Sequence, residues 1–200
     1  MPPKFLFTRE EITNAALRVT SEKGISGLTA RALAAELGCS VKPIFGLFKN
    51  MEEVQQEVLK AADKQYQSCI REEISRGTYP PYKASGMAYI RFAKEERELF
   101  KLLFMRDRSG ETPVENTEEI RPLLELIQKN TGLSEKEAYL FHLEMWVYVH
   151  GIATMIATAY LDWDSEFISQ TLTDGYVGLK YRFSQMRITG LEPARSPTRT

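Results

Sequence analysis

The stretch ALAAELGCSVKPIFGLFKN, residues 32–50, restricts the fold more than any other part of the chain. It opens as a good helix former, stops at Gly38 and restarts near Ser40, with Pro43 and Gly46 inside the new element. Residues this poor at forming helices make a helix barely two turns long, so its position must matter more than its own stability. Two helices meeting at a tight turn need a small residue at their crossing. They also need a residue that tolerates positive φ in the turn, and a branched apolar plug on the second helix. Ala34, Gly38 and Ile44 fit those three places, with Leu33, Leu37 and Leu47 as further core contacts. With Ser40 as N-cap, Val41, Lys42 and Pro43 occupy the first turn, where amide N–H groups have no intrahelical partner and a missing donor costs little. A helix that short suffices if its task is to set its first turn in a DNA major groove, about 12 Å wide. The alternative at this point is a packed helical corner with no ligand.

The rest of the chain also reads as helix, with no strand-like alternation. TREEITNAALRVTSEKG opens with a capping box, Thr8 capping while Glu11 reaches back, and Gly24 supplies its stop. Thr29 caps LTARALAAELG. A long helix is expected from Met51 to about Ser75, and one bent helix or two short ones over 82–105. RDRSGETP (106–113) reads as a loop, followed by helices at about 114–130, at 135–160 with a capping box from Ser134, and at 162–186. The expected fold is all-α, about nine helices, with domains at 1–50 and 51–187 and a flexible polar tail at 188–200.

Net charge is −1, but residues 1–50 carry seven basic and four acidic side chains, leaving a modestly basic head on an acidic body. The two cysteines, Cys39 and Cys69, form no C-x-x-C pair and no secretory signal precedes them, which suggests reduced cytosolic thiols and a cytoplasmic protein. Met145–Leu161 contains no Asp, Glu, Lys or Arg. Its His, Gly, Thr and Tyr content suits a helix buried by protein on nearly all sides better than a membrane span.

The segment TREEITNAALRVTSEKGISGLTARALAAELGCSVKPIFGLFKNMEEV resembles, continuously in pattern and spacing over residues 8–54, the DNA-binding domain of the TetR family of bacterial transcriptional regulators. WVYVHG (146–151) resembles the Trp-His-Gly-containing ligand-domain class of that family. The resemblance implies an N-terminal three-helix DNA-binding domain and a C-terminal helical bundle that dimerises and holds a small molecule. It puts Thr29 and Arg31 on the supporting helix near the DNA backbone or groove edge, and Ser40, Val41, Lys42 and Pro43 on the reading turn. Phe45 stands where the family usually has a phosphate-bonding Tyr, Leu47 where it often has His, and Met51 where it often has Lys. These departures remove polar contacts, for which Lys49 and Lys42 partly compensate, so weak and salt-sensitive binding is expected. The implied function is a ligand-responsive regulator, a repressor that binds a palindromic double-stranded operator as a dimer and is released by a small apolar or aromatic effector. The alternative is a helical small-molecule-binding module with weakened or lost DNA binding.

The apolar helix at 135–160 needs more cover than one chain of this size supplies, which points to a homodimer built on the last two helices. Gly175 and Gly178 offer a close-approach face there. Met145, Trp146, His150 and Thr154 mix apolar bulk with a few polar tips, and Tyr89, Phe104 and Met105 are candidates to face them, a lining that suits an aromatic or amphiphilic ligand. His142 and His150 lie eight residues apart on roughly one face, a spacing better suited to orienting hydrogen bonds than to a metal, for want of an acidic or thiol partner. No phosphate loop, activated nucleophile or metal-ligand spacing appears, so no catalytic residue, cofactor or metal is expected. Charge runs such as KEERELF (94–100) read as solvated helix faces.

Overall fold

The computed structural model describes residues 6–107 and 117–189, with backbone alone at 117–119 and 187–189. The described residues form nine helices and no strand: α1 (Arg9–Gly27), α2 (Ala30–Glu36), α3 (Lys42–Phe45), α4 (Met51–Arg76), α5 (Pro81–Glu95), α6 (Arg97–Phe104), α7 (Thr117–Thr131), α8 (Glu135–Ala157) and α9 (Ser165–Thr189). Most of the loop expected at 106–113 and of the tail expected at 188–200 lies outside the described residues. The region expected as one bent helix or two short ones is two, α5 and α6, separated at Glu96.

Local chemistry sets the ends of these helices. Thr8 and Ser134 each close a complete capping box, with Glu11 and Glu137 respectively, so both ends of the reciprocal bond pair are satisfied. Thr29 Oγ1 accepts the Ala32 N–H at 3.1 Å to cap α2. Gly24 adopts φ 71° and ψ 171° and interrupts α1, which resumes for one more turn to Gly27 instead of stopping.

Two compact units emerge, one from Met1–Cys69 with Phe92–Asp107, the other from Ile70–Arg91 with Arg108–Thr200. In the first, α1 packs against α2 and α6. Ile12, Ala15, Ala16 and Val19 recur at helical spacing on one face of α1, and all are buried. Leu33 and Ala34 of α2, Val54, Val58 and Ala62 of α4, and Leu99, Phe100, Leu102 and Leu103 of α6 complete this core. The charge run at 94–100 is solvated at Lys94, Glu95 and Arg97, which are exposed, but not at Glu96. Ser21 Oγ donates to Glu96 Oε2 at 2.7 Å and Gln65 Nε2 donates to Glu96 Oε1 at 3.0 Å, so this carboxylate links α1, α4 and the start of α6. The pattern misleads because the hydroxyl and amide that satisfy Glu96 come from distant parts of the chain.

In the second unit α8 packs against α7 and α9. Among the described residues α8 is the one helix long and apolar enough, by length and composition, to cross a membrane. One side of it is core: Ala138, Phe141, Met145, Val149, Ile152 and Ile156 are buried. Its own chain does not cover it all round, since Val147, Tyr148 and Met155 are exposed. Gly175 of α9 lets α8 approach. A Cβ there would lie 2.9 Å from the Tyr148 ring, too close without displacing it. Gly178 shows no such contact, because no other side chain or neighbouring element among the described residues lies within 4 Å of where its Cβ would be.

Candidate functional site

In the first unit the α2–turn–α3 segment is built on the three residues the sequence singles out. Gly38 has φ 65°, the left-handed conformation the turn needs. Ala34 is buried at the crossing and Ile44 is fully buried beneath α3. Burying an isoleucine is worth about 1.5–3 kcal/mol, which is how a four-residue helix keeps its place. The start of α3 differs from expectation. Val41, not Ser40, is the N-cap, and no side chain caps the helix. As N-cap, Ser40 would reach for the amide three residues on, and that residue is Pro43, which has no N–H. Pro43 still lies in the first turn, and Ser40 is left exposed.

The outer side of this segment is a mixture of cations and apolar groups. Arg31, Lys42 and Lys49 are exposed, as are Val41 (38%) and Phe45 (44%). Residues 37–51 contain no carboxylate. Thr29 is exposed but its hydroxyl is already engaged as the cap of α2. Met51, at the start of α4, is half-buried.

Arg9, absent from the sequence-derived residues, ties this head together. Its guanidinium donates to the Leu47 carbonyl at 2.5 Å and to Glu53 at 2.9 Å, and lies 4.2 Å from the Phe48 ring centroid. Glu53 also accepts the Lys49 N–H at 2.6 Å, and that bond, seconded by Arg9, holds its carboxyl below the usual range. Asn50 Oδ1 accepts the Glu53 N–H at 3.0 Å and caps α4. The corner between α3 and α4 is therefore fixed to the first turn of α1. The partners of Arg9 lie 38 and 44 residues away, and no local pattern announces them.

The second unit contains a polar ladder between α5 and α8. The Tyr82 hydroxyl shares a hydrogen bond of 3.2 Å with His142 Nδ1, and the Tyr89 hydroxyl one of 2.8 Å with His150 Nδ1. Trp146 stacks on His150 with centroids 5.0 Å apart and planes 12° from parallel, while Thr154 Oγ1 is 3.4 Å from His150 Nε2. Burial pushes His142 down to about 4 and lowers His150 as well, so both rings are neutral at pH 7. Burial raises the Tyr82 phenol well above its ordinary value. Each histidine makes a hydrogen bond that orients its ring, and no group of three or more potential metal ligands occurs among the described residues.

Of the residues proposed to hold a ligand, Tyr89, Trp146, His150 and Thr154 come together here, and Met145 is buried on α8. Phe104 and Met105 belong to the first unit. Phe104 packs on Tyr66 and Phe100, each at 5.1 Å between centroids, and Met105 is exposed at the end of α6. Sequence reasoning left Tyr82 out of this group, although it lies seven residues before Tyr89, as His142 lies eight before His150.

Residues 12–58 match the family model described as "Bacterial regulatory proteins, tetR family", and residues 82–174 match "Tetracyclin repressor-like, C-terminal domain". No curated relative matches the sequence. Several solved structures share the fold. A TetR-family protein from Vibrio parahaemolyticus, described as a transcriptional regulator, superposes with a TM-score of 0.58 at 16% identity, covering 85% of this chain and 97% of that one. A TetR-like transcriptional regulator from Rhodococcus sp. RHA1 gives 0.60 at 14% identity, covering 92% and 99%. The multidrug binding protein EbrR, complexed with imidazole, gives 0.55 at 20% identity, covering 86% and 95%.

Proposed function

Because this chain belongs to the TetR family of bacterial regulatory proteins, whose members are ligand-responsive DNA-binding regulators, we propose that it is a cytoplasmic repressor released from its operator by a small molecule. The observation that carries the reading is the division of α3 and its flanks. Ile44 is wholly buried, while Ser40, Val41, Lys42 and Phe45 all stand outward beside Arg31 and Lys49. A braced corner whose residues 37–51 add Lys42 and Lys49 and no carboxylate suits a polyanion.

The dimer is formed through α8 and α9. Val147, Tyr148 and Met155 on α8, and Val177 and Tyr181 on α9, are exposed apolar groups on helices that also carry the open glycines Gly151 and Gly178. Two copies of this pair make a self-complementary four-helix interface. The effector is a largely apolar or aromatic molecule held beside Trp146 and His150. Neutral imidazoles and phenols offer it hydrogen bonds without charge, and the EbrR complex offers a fold-level precedent for small-ligand binding.

Gel shifts on the DNA flanking the protein's own gene, repeated with candidate aromatic effectors, test this. A bound effector is expected to weaken operator affinity about 5–150-fold, a coupling of about 1–3 kcal/mol. An effector that calorimetry shows to be bound, yet that leaves operator affinity unchanged, refutes the regulatory reading.

A further inference from the structure

We propose that Val41 and Phe45 read the 5-methyl groups of thymines, so that each operator half-site carries thymine where these side chains enter the major groove. The inference rests on the DNA-binding reading above and adds to it the sequence class of the site. Val41 and Phe45 are four residues apart, joined by the Phe45 N–H to Val41 carbonyl bond at 3.4 Å, and so lie on one side of the single turn of α3. Both are exposed, at 38% and 44%, while Ile44 between them is fully buried. They are the large apolar groups that this segment turns outward. Gly46, also exposed, sets no side chain beside the Phe45 ring.

The groove offers these groups one kind of partner. The polar features of a major-groove base edge are hydrogen-bond donors and acceptors, which neither a valine nor a phenylalanine can satisfy, and its ring C–H groups are flush with the edge; the thymine C5 methyl is the apolar group that stands out from it. Charge brings the two surfaces together. Lys42 and Lys49 flank the pair, and no carboxylate occurs from residue 37 to 51. Phosphate contacts then fix the register, and the methyl contacts discriminate among sequences.

Replacing thymine by deoxyuridine removes the methyl and leaves the hydrogen-bonding edges intact. Duplex sites are selected from a randomised library with the full-length protein. Each thymine of the enriched half-site is then replaced by deoxyuridine, one per duplex, and affinity is measured by fluorescence anisotropy at fixed salt. One or two positions per half-site are expected to lose affinity about fourfold each, the effect of leaving one methyl unburied. Val41→Ala and Phe45→Ala should each abolish the sensitivity at one of these positions. An enriched site whose affinity is indifferent to deoxyuridine at every position overturns the inference while leaving the DNA-binding reading intact. Failure to enrich any site overturns both. The unmodified protein alone decides between these outcomes, so neither variant needs to fold for the test to succeed.

Discussion

Replacing His142 by glutamine should make the protein less sensitive to acid. The imidazole of His142 shares a hydrogen bond with Tyr82 and is held neutral by burial, its pKa pushed down to about 4 from the ordinary 6.5. A base whose folded pKa is depressed binds fewer protons in the folded state than in the unfolded one. Its contribution is complete above pH 6.5 and is lost as pH falls towards 4. With these two values the loss from this one side chain is about 2 kcal/mol at pH 5 and about 3 kcal/mol at pH 4. Glutamine keeps a polar partner for the Tyr82 hydroxyl and does not titrate. At pH 7.5 the variant should lie within about 1 kcal/mol of the parent, as for one exchanged hydrogen bond. Urea unfolding at pH 7.5, 6 and 5, at one protein concentration, measures the difference directly. Other acid-sensitive groups, among them His150, Glu11 and Glu53, act in both proteins and cancel in the comparison. The reasoning is refuted if the two proteins lose the same stability between pH 7.5 and pH 5.

The two glycines of α9 should respond oppositely. Gly175→Ala drives a methyl group into the Tyr148 ring and is expected to cost about 1–3 kcal/mol in thermal unfolding, whereas Gly178→Ala meets no neighbouring element among the described residues and should favour the helix by up to about 1 kcal/mol. If α9 lines the dimer interface, Gly178→Ala should nonetheless weaken self-association, read by analytical ultracentrifugation across a dilution series. Arg9→Ala removes the bond to the Leu47 carbonyl, the pair with Glu53 and the contact with the Phe48 ring. Because water still reaches and screens the ion pair, most of an expected loss of about 1–2 kcal/mol comes from the carbonyl and the ring. A double-mutant cycle with Glu53→Gln should therefore show coupling below about 1 kcal/mol.

Features that depend on neighbours in sequence were the legible ones. The capping boxes at Thr8 and Ser134, the cap at Thr29, the left-handed Gly38 and the buried Ala34 and Ile44 need at most ten residues of context. Ser40 does not cap α3: Pro43 deletes one of the two amides such a cap could use, the remaining Lys42 amide does not hold it, and Val41 takes the N-cap position. Arg9, Glu96 and the Tyr82–His142 pair were invisible because their partners lie 31 to 75 residues away. The charge-free run at 145–161 reads as a helix covered by protein on nearly all sides, with more cover needed than one chain supplies. A sequence shows that such a face avoids water, but not whether the chain itself provides the cover, and Val147, Tyr148 and Met155 remain exposed.

The first unit is assembled from two separated pieces of chain, since α6 packs against α1 and Glu96 bonds to Ser21 and Gln65. On the ribosome, the DNA-reading head therefore cannot finish folding when its own helices emerge. It must wait until α6 has been synthesised and Leu99, Phe100, Leu102 and Leu103 arrive to close over it. A nascent chain stalled before α6 leaves these core contacts of α1 unmade, a ready target for a chaperone or a protease.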